Sequence, residues 1–97
     1  MMIRYQTSNQ YIHRQITGLD VLISVGENIA NFDGYVQLNA AAAAIWKFLS
    51  VPRSAVEVEE MLMEQYRLPR EEARADAAEF LELLRSHNMV TVTDDGL

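Results

Sequence analysis

Chemistry in a chain of this kind would have to come from its two histidines, from its paired carboxylates or from its arginines. His13 stands in an extended stretch among polar residues. His87 stands at the end of a helical stretch, where an imidazolium complements the negative end of the helix dipole. No His-x-x-x-His or His-Glu-x-x-His spacing occurs, and no glycine-rich phosphate loop. Glu59-Glu60 and Glu71-Glu72 read most simply as solvated helix faces, not as an acid/base pair. Without a cysteine in its 97 residues, the chain can offer no thiolate zinc site, iron–sulfur ligand, disulfide or cysteine nucleophile. We therefore expect no catalysis by this chain alone, no cofactor and no metal. Arg70 and Arg74, one helical turn apart, could touch a phosphate, but pairing with neighbours such as Glu71 is the simpler reading.

Charge weighs against nucleic acid. Eight basic and fourteen acidic residues give a net charge of −6, which repels phosphate backbones. Between Ser54 and Asn88, where a helix-turn-helix pattern would place a recognition helix, four arginines face nine carboxylates. A DNA-binding helix carries the opposite sign. No apolar run approaches the ~20 residues of a membrane span, and the N-terminus lacks the apolar core of a signal peptide. The expectation is a cytoplasmic protein with no membrane partner.

The length fits one domain over residues 1–97, with 1–10 and 94–97 expected to be flexible. Its first half reads as strands. Tyr11 to Thr17 ends at Gly18 and Leu19 to Val25 ends at Gly26, both enriched in β-branched residues and bounded by glycine. Asp33-Gly34 is a turn signal feeding a short third strand, Tyr35 to Leu38, in which Val36 and Leu38 share the core-facing side.

From Asn39 the period becomes helical. Asn39 is a good N-cap for Ala40 to Leu49, with Ala42, Ile45, Trp46 and Leu49 facing inward. Ser54-x-x-Glu57 is a capping box that opens a second helix ending near Arg67, with Val58, Met61, Leu62 and Tyr66 as its inner stripe. Pro69 suits the first position of a third helix running to about His87. Along it, Ala73, Ala77, Phe80, Leu81 and Leu84 form one stripe, flanked by Asp76, Glu79, Leu83 and His87. Asn88 suits a left-handed helix end, and Met89 to Thr93 reads as a short extended tail. The fold expected is α+β and winged-helix-like: a small three-stranded antiparallel sheet, three helices and a short extended C-terminal segment.

At this point the sequence resembles the PqqD-like family, which includes the peptide chaperone of pyrroloquinoline quinone biosynthesis and the wider class of RiPP recognition elements. The resemblance rests on Gly34-Tyr35-Val36-Gln37-Leu38-Asn39-Ala40, then Ile45-Trp46 and Phe48-Leu49. Arg14, Gly18, Val21-Leu22-Ile23, Gly26-Glu27 and Phe32-Asp33-Gly34 look like the family's strand region. Pro52-Arg53-Ser54 with Val56-Glu57-Val58 looks like its second-helix start. Pro69, Glu71, Glu72, Ala73, Asp76, Phe80, Leu81, Leu84 and Met89-Val90 are similar to its third helix and exit. Two departures are Leu68, where an aspartate-type cap is common, and the alanine run Ala40 to Ala44, where relatives often carry Glu-Thr-Gly-like residues.

The resemblance implies a stand-alone recognition element that binds the leader region of a ribosomally made precursor peptide. It would present that peptide to a separate modifying enzyme, often a radical S-adenosylmethionine enzyme, otherwise a peptidase or cyclase. The physics points the same way. A four-residue strand between a turn and a helix leaves one sheet edge without a partner, and such an edge accepts an added strand. With the third helix alongside, as the family has it, the peptide-binding residues would be Tyr35, Val36, Gln37 and Leu38 on the strand and Asp76, Glu79, Phe80 and Leu83 on the helix. Phe80 and Leu83 would hold apolar leader side chains; Asp76 and Glu79 would favour a basic residue or a peptide amide. The same spacing also fits Phe80 in the core and the two carboxylates as plain solvated surface. An open edge and five methionines are also compatible with strand exchange in a homodimer.

Overall fold

A computed structural model describes residues 2–24 and 35–94. The elements are β1 (Ile3–Thr7), β2 (Tyr11–Ile16), β3 (Leu19–Ser24), β4 (Tyr35–Leu38), α1 (Ala40–Phe48), β5 (Arg53–Ser54), α2 (Ala55–Tyr66), α3 (Arg70–Ser86) and β6 (Val90–Asp94). They build two three-stranded antiparallel sheets, ordered β2-β3-β4 and β5-β1-β6, around three helices. The mixed α+β architecture and the three-stranded meander are as expected. The expected turn at Asp33-Gly34, the family-like Phe32 and Gly26-Glu27 positions, and the last residue of the second strand, Val25, lie outside the described residues.

The β2–β3 hairpin closes over Thr17 and Gly18, whose φ angles of 50° and 83° are those of a type I′ turn. Gly18 is there for conformation, since an added Cβ would meet nothing within 4 Å. β4 then pairs with β3, Val36 opposite Leu22 and Leu38 opposite Asp20. Leu38 is buried, and half-buried Val36 packs on the core, so the pair faces inward as its spacing requires.

Asn39 caps α1, its side-chain oxygen accepting a 2.8 Å hydrogen bond from the Ala42 amide. Ile45, Trp46 and Leu49 are buried as their spacing demands, whereas Ala43 takes the inward place expected of Ala42, which is half-buried. Val58 and Leu62 of α2 and Ala73, Ala77, Leu81 and Leu84 of α3 complete the core with Leu22 and Met89. α2 ends at Arg67 and α3 is followed by Asn88, both left-handed, with φ of 54° and 57°. Pro69 is the N-cap of α3 and not its first residue. Its ψ of 152° is extended, and it offers no capping side chain, so Glu71 and Glu72 alone complement the dipole of the first turn.

The second sheet corrects the reading of the N-terminus. Residues 1–10 were expected to be flexible, yet Ile3–Thr7 is the central strand, pairing Tyr5 with Arg53 on one side and with Val92 on the other. The Thr7 amide donates to the Leu49 carbonyl (2.9 Å) and the Ser8 amide to that of Met89 (3.0 Å), tying this strand to the ends of α1 and α3. The extended C-terminal tail does form a strand, through Asp94.

Glu59 is a second correction. It is not part of a solvated face: only 8% exposed, it has Arg70 Nη1 at 3.8 Å and Arg74 Nε at 4.0 Å. The two arginines thus converge on α2, not on Glu71. Among the described residues, no helix is long and apolar enough to cross a membrane.

The capping box is complete. The Glu57 amide donates to Ser54 Oγ (3.2 Å), and the Ser54 amide donates to Glu57 Oε1 (2.8 Å). This backbone hydrogen bond holds the Glu57 carboxyl below the usual carboxylate range, helped by the Ser54 hydroxyl and by Arg4 and Arg53. Ser54→Ala is expected to lower stability by about 1 kcal/mol, read from urea unfolding. Because the carboxyl's folded pKa lies below its unfolded value, its contribution is fully present above the unfolded pKa and is lost as pH falls through the folded one. Glu57→Gln should therefore flatten the acid limb of the stability profile.

Candidate functional site

The sheet β2-β3-β4 ends at β4, whose outer side has no strand partner among the described residues. The hairpin register determines which backbone groups that side exposes. In a two-residue type I′ turn the amide after the turn, here Leu19, donates to the carbonyl before it, here Ile16. Leu19 therefore directs its backbone groups toward β2. Alternation along the strand makes Asp20 and Leu22 direct theirs toward β4. Their partners Leu38 and Val36 are consumed by that ladder. Tyr35 and Gln37 consequently turn their amides and carbonyls outward, and the Gln37 side chain is exposed.

Beside this edge, past Leu38, lies a cavity of about 200 Å³ between α1 and α3. One wall comes from α3 and consists of Asp76, Glu79, Phe80 and Leu83. Helical spacing of three and four residues puts these side chains on one face, adjacent to the buried stripe of Ala73, Ala77, Leu81 and Leu84. Phe80 is half-buried against the core, and Leu83 is 40% exposed. The facing wall is Asn39, Ala41, Ala42 and Ile45. All four α3 residues singled out from the sequence thus meet at one cavity. The four β4 residues do not line it; they form the edge leading to it.

The α1 wall was missed. Its signal was the alanine run, since small side chains along one helix leave room against the neighbouring one.

The electrostatics of the α3 face are uneven. Glu82 is engaged by Arg85, with contacts of 2.6 and 3.0 Å, and its hydrogen bonds to that guanidinium hold its carboxyl below the usual range. Glu59 holds Arg70 and Arg74. Asp76 and Glu79 have no ion-pair partner among the described residues. His13 is hydrogen-bonded across the hairpin to Asp20 at 2.8 Å, and no group of three or more His, Cys, Asp or Glu that could hold a metal occurs among the described residues. A larger hollow of about 560 Å³ lies along the acidic outer face of α2, at Glu57, Glu60 and Glu64. It borders neither β4 nor α3.

An open strand edge running into a cleft against a long helix is the geometry of strand addition. The sequence matches the family described as Coenzyme PQQ synthesis protein D (PqqD) over residues 21–90. The chain belongs to the PqqD family. Among solved structures, this PqqD-family chain is similar to "Lasso peptide synthetase B1 complexed with the leader peptide". The TM-score is 0.69 at 25% identity, covering 90% of this chain and 96% of the other. It also shares its fold with "TbiB1 in Complex with the TbiA(beta) Leader Peptide", with a TM-score of 0.68 at 21% identity, covering 88% and 93%. No curated protein matches it.

Proposed function

We propose that this PqqD-family chain is a RiPP recognition element. It binds the leader segment of a ribosomally synthesised precursor peptide as an added strand on β4 and presents the remainder to a separate modifying enzyme. The observation that carries this reading is the outward-turned backbone of Gln37 on an edge without a partner strand, next to the cleft between α1 and α3. Membership of the PqqD family supports it, as does the likeness, over nearly the whole length of both chains, to a lasso peptide synthetase B1 bound to a leader peptide. The enzyme served is one that acts on peptides: a radical S-adenosylmethionine enzyme, a peptidase or a cyclase. In this reading the chain is a binding partner, and the chemistry belongs to that enzyme.

Main-chain hydrogen bonds along β4 provide affinity that is indifferent to sequence, while side chains beside the edge discriminate. Phe80, half-buried at the cleft, is the aromatic anchor. The test is isothermal titration with leader segments of precursor-like open reading frames encoded beside this gene, using wild type and Phe80→Ala. Saturable binding is expected, weakened about tenfold or more in the variant, with circular dichroism confirming that the variant is folded. Absence of binding to every such segment would count against the proposal.

A further inference from the structure

We infer that the cavity between α1 and α3 selects a lysine or arginine of the bound peptide, at the position lying beside Leu38. This rests on the strand-addition reading above and specifies what that site prefers. A strand that pairs with the outward groups of Gln37 has alternate side chains on its two faces, and those beside Val36 and Leu38 share the core-facing side. Leu38 is buried on that side and is followed directly by Asn39, which is on the cavity wall. The visiting side chain next to Leu38 is therefore directed into the cavity.

Its chemistry follows from the size and lining. About 200 Å³ is below the range of roughly 300 Å³ and more that small-molecule sites occupy, and suits one long side chain. Its apolar lining comes from Ile45, Phe80 and Leu83, and the facing side chains of Ala41 and Ala42 are methyl groups only. Asp76 and Glu79 also line it, both exposed and without an ion-pair partner among the described residues. No arginine or lysine lines the cavity, and Arg70 and Arg74 on the same helix are directed to Glu59 instead. An aliphatic stem ending in a positive charge satisfies both zones, with the stem on the apolar surface and the head between two carboxylates. A purely aliphatic residue leaves those carboxylates without a counter-charge, and an acidic one is repelled.

The test is selection from a random-sequence peptide library displayed on phage, using immobilised full chain. Three proteins are compared in parallel: wild type, Asp76→Asn/Glu79→Gln and Asp76→Lys/Glu79→Lys. Peptides enriched by the wild type and no longer bound by Gln37→Pro report edge binding. Among these, a Lys or Arg at one fixed position is expected. The neutral double variant should bind them about fivefold to tenfold more weakly, and the lysine pair should replace the preference by Asp or Glu. Edge-dependent peptides with no basic position, or with the same preference in all three proteins, would overturn the inference while leaving strand addition intact. Enrichment of no edge-dependent peptide would overturn both.

Discussion

Gln37→Pro is expected to remove peptide binding while leaving the domain folded. Proline deletes one backbone amide and places its ring where a partner strand would lie. In β4 the amide of Gln37 faces away from β3, so no bond of the native sheet is lost, and proline is tolerated in strands at such edge positions. A visiting peptide, however, loses the donor for one of its carbonyls and meets the ring. An unsatisfied carbonyl alone costs about 1–3 kcal/mol, which is about fivefold to 150-fold in affinity, and steric exclusion adds to it. Val36→Pro is the control, because its amide faces β3 and its loss breaks the ladder with Leu22; this variant should unfold or lose much of its stability. Titration calorimetry and circular dichroism on the two variants separate the cases. Unfolding of Gln37→Pro with tolerance of Val36→Pro would reverse the assignment of the outer edge.

Removal of residues 1–8 has the largest expected effect on stability. Among the described residues, β1 is the only strand that pairs with β5 and β6, so its loss leaves Arg53–Ser54 and Val90–Asp94 without their strand partner. It also deletes the contact of Tyr5 with the core and the amides that satisfy the Leu49 and Met89 carbonyls. Each lost bond is worth about 1 kcal/mol, and several are lost together. A domain of this size has a total stability near the low end of about 5–15 kcal/mol. The truncated chain should therefore show no cooperative thermal transition. A transition at the full-length midpoint would mean that the second sheet contributes nothing to the fold.

These two regions also differ in how well their sequences announce them. The β2–β3 hairpin and the first two helices are specified locally, by Gly18 at a positive φ, by Asn39 and by the reciprocal Ser54–Glu57 cap. β1 is not. Ile3 and Tyr5 alternate with Arg4 and Gln6 in only five residues, and the partners that make them a strand lie beyond α1 and at the far end of the chain. No local pattern reports such distant pairing. The α3 wall of the cavity was readable because spacing on a helix fixes which residues share a face. The α1 wall was not, because alanine fits a buried helix face as well as a vacancy beside one; only the packing of α3 distinguishes Ala43 in the core from Ala42 at the cavity. Glu59 reads as surface beside Glu60 until α3 brings Arg70 and Arg74 over it.

The open edge of β4 was legible for a related reason. A strand of four residues followed at once by a capped helix has little room for a second partner, and the structure leaves that side of β4 without one among the described residues. The register then determines which of its residues present donors and acceptors.

Amide hydrogen exchange of Gln37, followed by NMR with and without a saturating leader segment, tests the central claim most directly. In the unbound protein the Gln37 amide should exchange quickly while those of Val36 and Leu38, bonded to β3, are protected. On binding, Gln37 should become protected and its neighbours should change little. A peptide that binds tightly while the Gln37 amide continues to exchange at its unbound rate would contradict strand addition on β4.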